Sequence, residues 1–223
     1  MIKNITNLGD AAIYCDFGDE VNRDTNSKVI NFFKNIKKNK IDGIINLAPS
    51  YNKLIISYDL SVVNFETIKD KIENLEIEDL LNNKVNKLEI PVCFEEEFTL
   101  DINRLEKKTN KSFKQFLKEF LAKEYFCYMT GFIAGMPFLG DLNKDLRINR
   151  LETPRVKVPK GAIGVTEQFT NIYTFESPGG WNIVGNTPIE VFDKKNKDNP
   201  TLINPGDKIK FYEITKKEFE SFK

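Results

Sequence analysis

No histidine occurs among the 223 residues. That absence removes the side chain that most often serves as a general base near neutral pH, and with it the commonest transition-metal ligand. A Ser-His-Asp or Cys-His nucleophilic site within this chain is therefore excluded. No glycine is followed by lysine, so there is no Gly-x-x-x-x-Gly-Lys phosphate cradle. Any nucleotide must be held in another way or by another protein. Net charge is missing too, since 33 Lys and Arg balance 33 Asp and Glu. Without a basic field, neither nucleic acid nor an anionic membrane surface is an expected partner. The lysine-rich stretch from Lys34 to Lys40 is interrupted by Asn and Ile and reads as the solvated end of a helix, where cations complement the dipole.

Cysteine is scarce: Cys15, Cys93 and Cys127 are odd in number, far apart and without the C-x-x-C spacing of a zinc or redox site. Such usage suits a reducing compartment. The opening MIKNITNLGD lacks an apolar core followed by a small-residue cleavage site, so no secretory signal is expected. The longest uncharged run, Tyr125 to Gly140, is broken by Gly131, Gly135 and Pro137. It falls short of the ~20 apolar residues that a spanning helix needs. A soluble cytoplasmic protein is the expectation.

What is present is ample material for cores, with 40% apolar and 12% aromatic residues. AAIYCDF, from Ala11 to Phe17, reads as a strand, and Glu20 to Lys38 carries Val21, Val29, Ile30, Phe33 and Ile36 at helical spacing. GIINLAPS and KLIISYD form a hairpin-like pair around Pro49, Ser50 and Asn52. A helix capped by Asn64 follows, with Phe65, Ile68 and Ile72 on one face, and Asn86 to Phe94 returns to strand. This βαββαβ order predicts an α+β fold that begins with a ferredoxin-like domain, with a boundary near Leu88 that gives domains 1–88 and 89–223, or with the last strand shared between them. The second domain opens with two helices, one bearing the stripe Phe113, Phe116, Leu117 and Phe120. From Tyr125 onward, short β-like runs cut by Pro or Gly predict a barrel or sandwich.

Several residues draw attention in that second half. Ser177-Pro178-Gly179-Gly180 fits a type II turn, with Gly supplying positive φ at the third position, and such a turn also bares amides toward an anion. Trp181 after it is read as core or as site rim. Arg155 follows Thr153-Pro154 at the start of an apparent strand; its planar fork suits a carboxylate or phosphate, or an ion pair with a neighbouring strand. Glu176 is a candidate general base or water-orienting group, or a solvated carboxylate. Glu95-Glu96-Glu97 reads as a solvated loop or helix entry, and no metal site is expected.

Three segments, TGFIAGMPFLGDL, RLETPRVKVPKGAIGV and NIYTFESPGGWNIVGNTP, occur in this order, with IPVCFEEEFTLDI upstream. Together they resemble the family of 5-oxoprolinase B subunits, also called allophanate hydrolase subunit 1 or the KipI-type kinase inhibitors. The resemblance implies a cyclophilin-like β-barrel behind the small α+β domain. It also implies two partners, a C subunit with a related barrel and an A subunit, the three together converting 5-oxoproline to glutamate with ATP. Two alternatives come with it: a carboxyltransferase half in a urea-degrading system, and a non-catalytic inhibitor whose partner is a sensor histidine kinase. In the oxoprolinase reading Arg155 and Glu176 are the catalytic candidates, with ATP on or shared with a partner. Substrate binding is assigned to Thr170, Tyr173, Ser177, Gly179, Gly180, Trp181, Gly135 and Pro137. The chain departs from the family pattern at Ala134-Gly135-Met136-Pro137, usually Pro-Gly-Phe-Pro, and at Phe169-Thr170-Asn171, usually Gln-Thr-Gly. Phe169 in place of Gln removes one donor and one acceptor.

Overall fold

A computed structural model describes residues 2–80 and 86–222. The chain divides into two compact units, residues 1–85 and 86–223.

The first unit is a four-stranded sheet with two helices. Strand β1 (Asn4–Asn7) and β2 (Ala12–Asp16) lead into α1 (Arg23–Asn39), then β3 (Ile44–Pro49), β4 (Lys53–Tyr58) and α2 (Phe65–Glu73). Strand order is β1-β2-β4-β3, every neighbouring pair antiparallel. Alternation places Ile13 and Cys15 of β2 and Leu54, Ile56 and Tyr58 of β4 on one face, where Val29, Phe32 and Ile36 of α1 and Ile68 and Ile72 of α2 cover them. Asn22 and Asn64 cap the two helices by accepting from Thr25 and Thr67. Lys37 and Lys38 lie in the last turn of α1, as the lysine run suggested.

This is the ferredoxin-like arrangement, with one correction to its wiring. The outer strand beside β2 is β1, from the beginning of the chain, and not the segment from Asn86 to Phe94. That segment forms β5 (Lys87–Cys93), which belongs wholly to the second unit, so the boundary expected near Leu88 falls inside a barrel strand. The burial patterns explain the exchange. Residues 90–93 of β5 are buried without alternation, which suits a strand covered on both faces, whereas β1 is short, polar and mostly exposed, as an edge strand should be.

The second unit continues from β5 with α3 (Ile102–Thr109), α4 (Phe113–Ala122), β6 (Glu124–Thr130), β7 (Pro137–Gly140), β8 (Arg155–Val158), β9 (Ala162–Thr166), β10 (Phe169–Ile172), β11 (Ser177–Gly179), β12 (Asn182–Asn186), β13 (Lys208–Ile214) and α5 (Lys216–Ser221). Seven strands close into a barrel in the order β10-β7-β6-β13-β5-β12-β9, with β9 pairing back to β10. Only β5 and β13 run parallel among these pairs. Its interior holds Ile90, Val92, Leu139, Ile163, Val165, Ile209 and Phe211, and Phe116 and Phe120 of α4 press onto it, the Phe120 ring stacked on Phe211. Outside the barrel, β8 and β11 form a separate two-stranded ribbon. The glutamates after Cys93 are spent on α5: Glu95 accepts from the Lys216 backbone N–H and Glu97 pairs with the Lys216 side chain, a favourable place for anions at a helix start. No helix among the described residues is long and apolar enough to cross a membrane.

All three thiols are buried and free. Desolvation pushes Cys15 up to about 12 and raises Cys93 and Cys127 as well. Because the thiolate is the reactive form, a disulfide-exchange reagent at pH 8 is expected to label none of them within minutes in the native chain and all of them in denaturant. A rapidly labelled native thiol would contradict this burial.

Candidate functional site

The sequence signals converge where α3, the ribbon and the start of β12 meet. Asp101 immediately precedes α3, the position where an Asp ordinarily caps a helix, yet its side chain makes no capping bond. Its carboxylate is 6% exposed and turns inward instead. Oδ1 accepts from Arg155 Nη2 at 2.7 Å, and Oδ2 accepts from the Ile183 backbone N–H at 2.7 Å. The charge-assisted pair fixes the Arg155 fork. Its other edge is left open: Nη1 is buried and has no hydrogen-bond partner, and the same holds for Ser177 Oγ. Buried donors without acceptors are uncommon in native proteins and each needs an explanation.

Ser177 to Gly179 is not the expected type II turn. It is strand β11, with Ser177 opposite Val158 and Gly179 opposite Arg155, and Gly179 does not adopt the positive φ that such a turn requires. Gly179 serves close approach instead. A Cβ on Gly179 would run into the Tyr173 hydroxyl, whereas one on Gly180 would make an ordinary contact, 3.4 Å from Arg150 Nη2. The ladder has an irregularity between these pairs, with one extra residue on β8, so Arg155 and Val158 face the same way although three residues apart. Arg155, Ser177 and Gly179 thus share the face of the ribbon that looks onto Tyr173, Met136 and Ile183.

Tyr173 is buried at the centre of this face. Desolvation raises its hydroxyl above the usual tyrosine value, against the opposing pull of Asn171, Arg150, the Trp181 backbone and Arg155. Two arginines therefore sense one hydroxyl. Arg150 and Arg104 were missed by reading the sequence. Arg104 Nε donates to Asn182 Oδ1 at 2.8 Å, and its Nη2 donates to the carbonyls of Asn149 at 3.4 Å and Arg150 at 3.2 Å. Leu151 N–H donates to the Gly180 carbonyl, which ties the Arg150 segment alongside β12. Arg150 opens the segment RLETPRVKVPKGAIGV but nothing local singles it or Arg104 out, because the contacts that place them lie about 30 to 80 positions away.

The remaining candidates divide. Trp181 is core: it is 9% exposed and its ring meets Phe138 edge-on at 5.5 Å. Thr170 is buried and donates to the Gly164 carbonyl at 2.9 Å. Gly135 takes a positive φ of 69° in the loop before β7, where the Phe192 ring fills the space a Cβ would need, and Pro137 begins β7 as a buried residue. Met136 between them packs with Tyr173 and Val158, so this loop supports the site from behind. Glu176 stands in solvent, 58% exposed, with its carboxylate 3.0 Å from Lys157. Phe169 packs edge-on against Tyr128 at 5.7 Å, so that departure from the family pattern is a change of packing.

Residues 3–203 match the family model described as the carboxyltransferase domain, subdomain C and D. A 5-oxoprolinase B subunit of Bacillus subtilis (strain 168) is 32% identical over 231 residues, covering 98% of this chain and 96% of its own length. The chain belongs to the family of 5-oxoprolinase B subunits. A second protein of that name, from Haemophilus influenzae (strain ATCC 51907 / DSM 11121 / KW20 / Rd), is 30% identical and covers 93% of this chain and 96% of its own length. Among solved structures, TTHA0988 superposes with a TM-score of 0.81 at 27% identity, over 91% of this chain. This chain spans 40% of TTHA0988, so the family fold also occurs there as part of a longer polypeptide.

Two substitutions test this geometry, and the single tryptophan, Trp181, reports on the second unit in both. Asp101→Ala leaves Arg155 and the Ile183 amide without their acceptor and is expected to cost about 3 kcal/mol in urea unfolding followed by tryptophan fluorescence. Gly179→Ala is expected to destabilise by roughly 1–3 kcal/mol through overpacking, with part of the loss restored by adding Tyr173→Phe. Additive effects of the two changes would show that the Gly179 and Tyr173 contact is not what excludes a side chain.

Proposed function

We propose that this chain is the B subunit of an ATP-dependent 5-oxoprolinase, acting with the A and C subunits to open 5-oxo-L-proline to L-glutamate. The reading is carried by its end-to-end match to relatives of that name. The half-open fork of Arg155 supplies what such a reaction needs from this chain, a fixed cation with a free donor edge. In the reaction, ATP transfers a phosphoryl group to the lactam oxygen, which makes the ring carbon electrophilic. Water adds to that carbon, the ring C–N bond breaks with a proton passing to nitrogen to leave the γ-glutamyl phosphate, and a second water hydrolyses this acyl phosphate to glutamate and phosphate.

Arg155 Nη1 and Ser177 Oγ are placed to hold an anionic part of the substrate, with Tyr173 beside them. Because Ser177 to Gly179 is a strand, it contributes its hydroxyl and the room left by its glycine, in place of the row of amides a turn would bare. Glu176, exposed and paired with Lys157, orients water only if a partner protein covers it. ATP is bound on a partner or shared with one, consistent with the missing phosphate cradle. Three unpaired, buried thiols suit the cytoplasm.

The test is an assay of ATP-dependent glutamate formation after co-expression with the A and C subunits. The complex is expected to be active, and Arg155→Gln to lower kcat/KM for 5-oxoproline by about tenfold to a hundredfold, the range for losing a hydrogen bond to a charged group. No turnover in a verified complex of the unaltered chains would end this reading.

A further inference from the structure

The site holds more positive charge than it neutralises. Arg104, Arg150 and Arg155 gather around Gly179 to Asn182, and Asp101 is the carboxylate that pairs with this group. Arg104 spends its donors on neutral acceptors, which position the backbone carrying Arg150. The Arg150 guanidinium itself has no hydrogen-bond or ion-pair partner among the described residues and lies across Gly180, with Nη2 and Nε at 3.4 and 3.5 Å from where a Cβ would be. Arg155 retains a buried, unsatisfied Nη1, and Ser177 a buried, unsatisfied Oγ, on the same face of the ribbon.

We propose that Arg150, Arg155 and Ser177 form a subsite for a phosphoryl dianion, with Arg104 and Asp101 as positioning residues. The charge balance selects the class. Asp101 cancels one of three cations, and a monocarboxylate held by Arg155 would cancel one more and leave the exposed Arg150 fork without a partner. A phosphoryl group brings about two charges and three acceptor oxygens, enough for Nη1 of Arg155, the Ser177 hydroxyl and the fork of Arg150. Gly179 is small because Tyr173 needs that space. The inference rests on the oxoprolinase reading for its biological ligand, the phosphorylated lactam or the phosphate it releases, but the chemistry of the subsite stands on the residues alone.

Calorimetric titration of the full chain with inorganic phosphate and with acetate, at pH 8 and at pH 5.5, tests it directly, with 5-oxoproline as a third probe. Phosphate is expected to bind at pH 8 at least tenfold tighter than either carboxylate, and to weaken at pH 5.5, where it becomes a monoanion. Arg150→Gln, at an exposed position where folding is retained, is expected to reduce phosphate affinity about tenfold, and Arg150→Lys to keep part of it. Ser177→Ala should weaken phosphate with little effect on acetate. No phosphate binding, equal binding of acetate and phosphate, or an unchanged affinity in Arg150→Gln would overturn the proposal. If the assembled complex forms glutamate while the chain shows no preference for phosphate, the subsite fails and the function stands. Selective phosphate binding in a chain whose complex is inactive means the reverse: the subsite stands and the function fails.

Discussion

Everything distinctive about the barrel unit depends on one inward-turned carboxylate. Asp101 joins the beginning of α3 to the ribbon through Arg155 and to β12 through the Ile183 amide, with both bonds at 2.7 Å. A carboxylate held at 6% exposure is tolerable only because both of its oxygens have donors, one of them charged. The arrangement places the Arg155 fork without exhausting it. One edge is consumed by structure, and Nη1 on the other is buried without a hydrogen-bond partner. A guanidinium allows this because its donors are divided between two rigidly related edges, which an ammonium cannot offer.

Small residues are the second requirement. The ribbon lies close to the barrel because Gly179 has no side chain to meet the Tyr173 hydroxyl. Close approach of backbone, more than turn geometry, is thus the use of Gly179. The Tyr173 hydroxyl is desolvated under this ribbon, and Arg150 and Arg155 act on it from the more exposed side. The loop with Gly135 and Met136 backs this face with apolar packing, and Thr174 anchors it by donating to the Ala134 carbonyl.

Much of the architecture was legible in the residues. The paired β-branched runs at β3 and β4, the Asn64 cap of α2, and the aromatic stripe of α4 are local patterns, and each formed where its pattern indicated. The glycine-punctuated segments and Thr153-Pro154-Arg155 identified the family because their residue types and order are specific over a long stretch. Arg155 was visible as a candidate for the same reason. These features depend on neighbours within a few positions, where steric preference and side-chain alternation act.

The folded chain decided the rest, through contacts that no local window contains. That β5 joins a barrel and leaves its place in the ferredoxin-like sheet to β1 follows from which face of each strand finds cover. Serine, proline and two glycines in a row favour a turn locally, yet cross-strand pairing with β8 makes most of that segment a strand. Asp101 has the address of a helix cap and the partners of a buried ion pair, 54 and 82 residues away. Arg104 carries no motif, and Arg150, though it opens the segment RLETPR, has no local feature that marks it as part of a site. Their placement beside Gly180 and Asn182 arises only when distant segments are brought together.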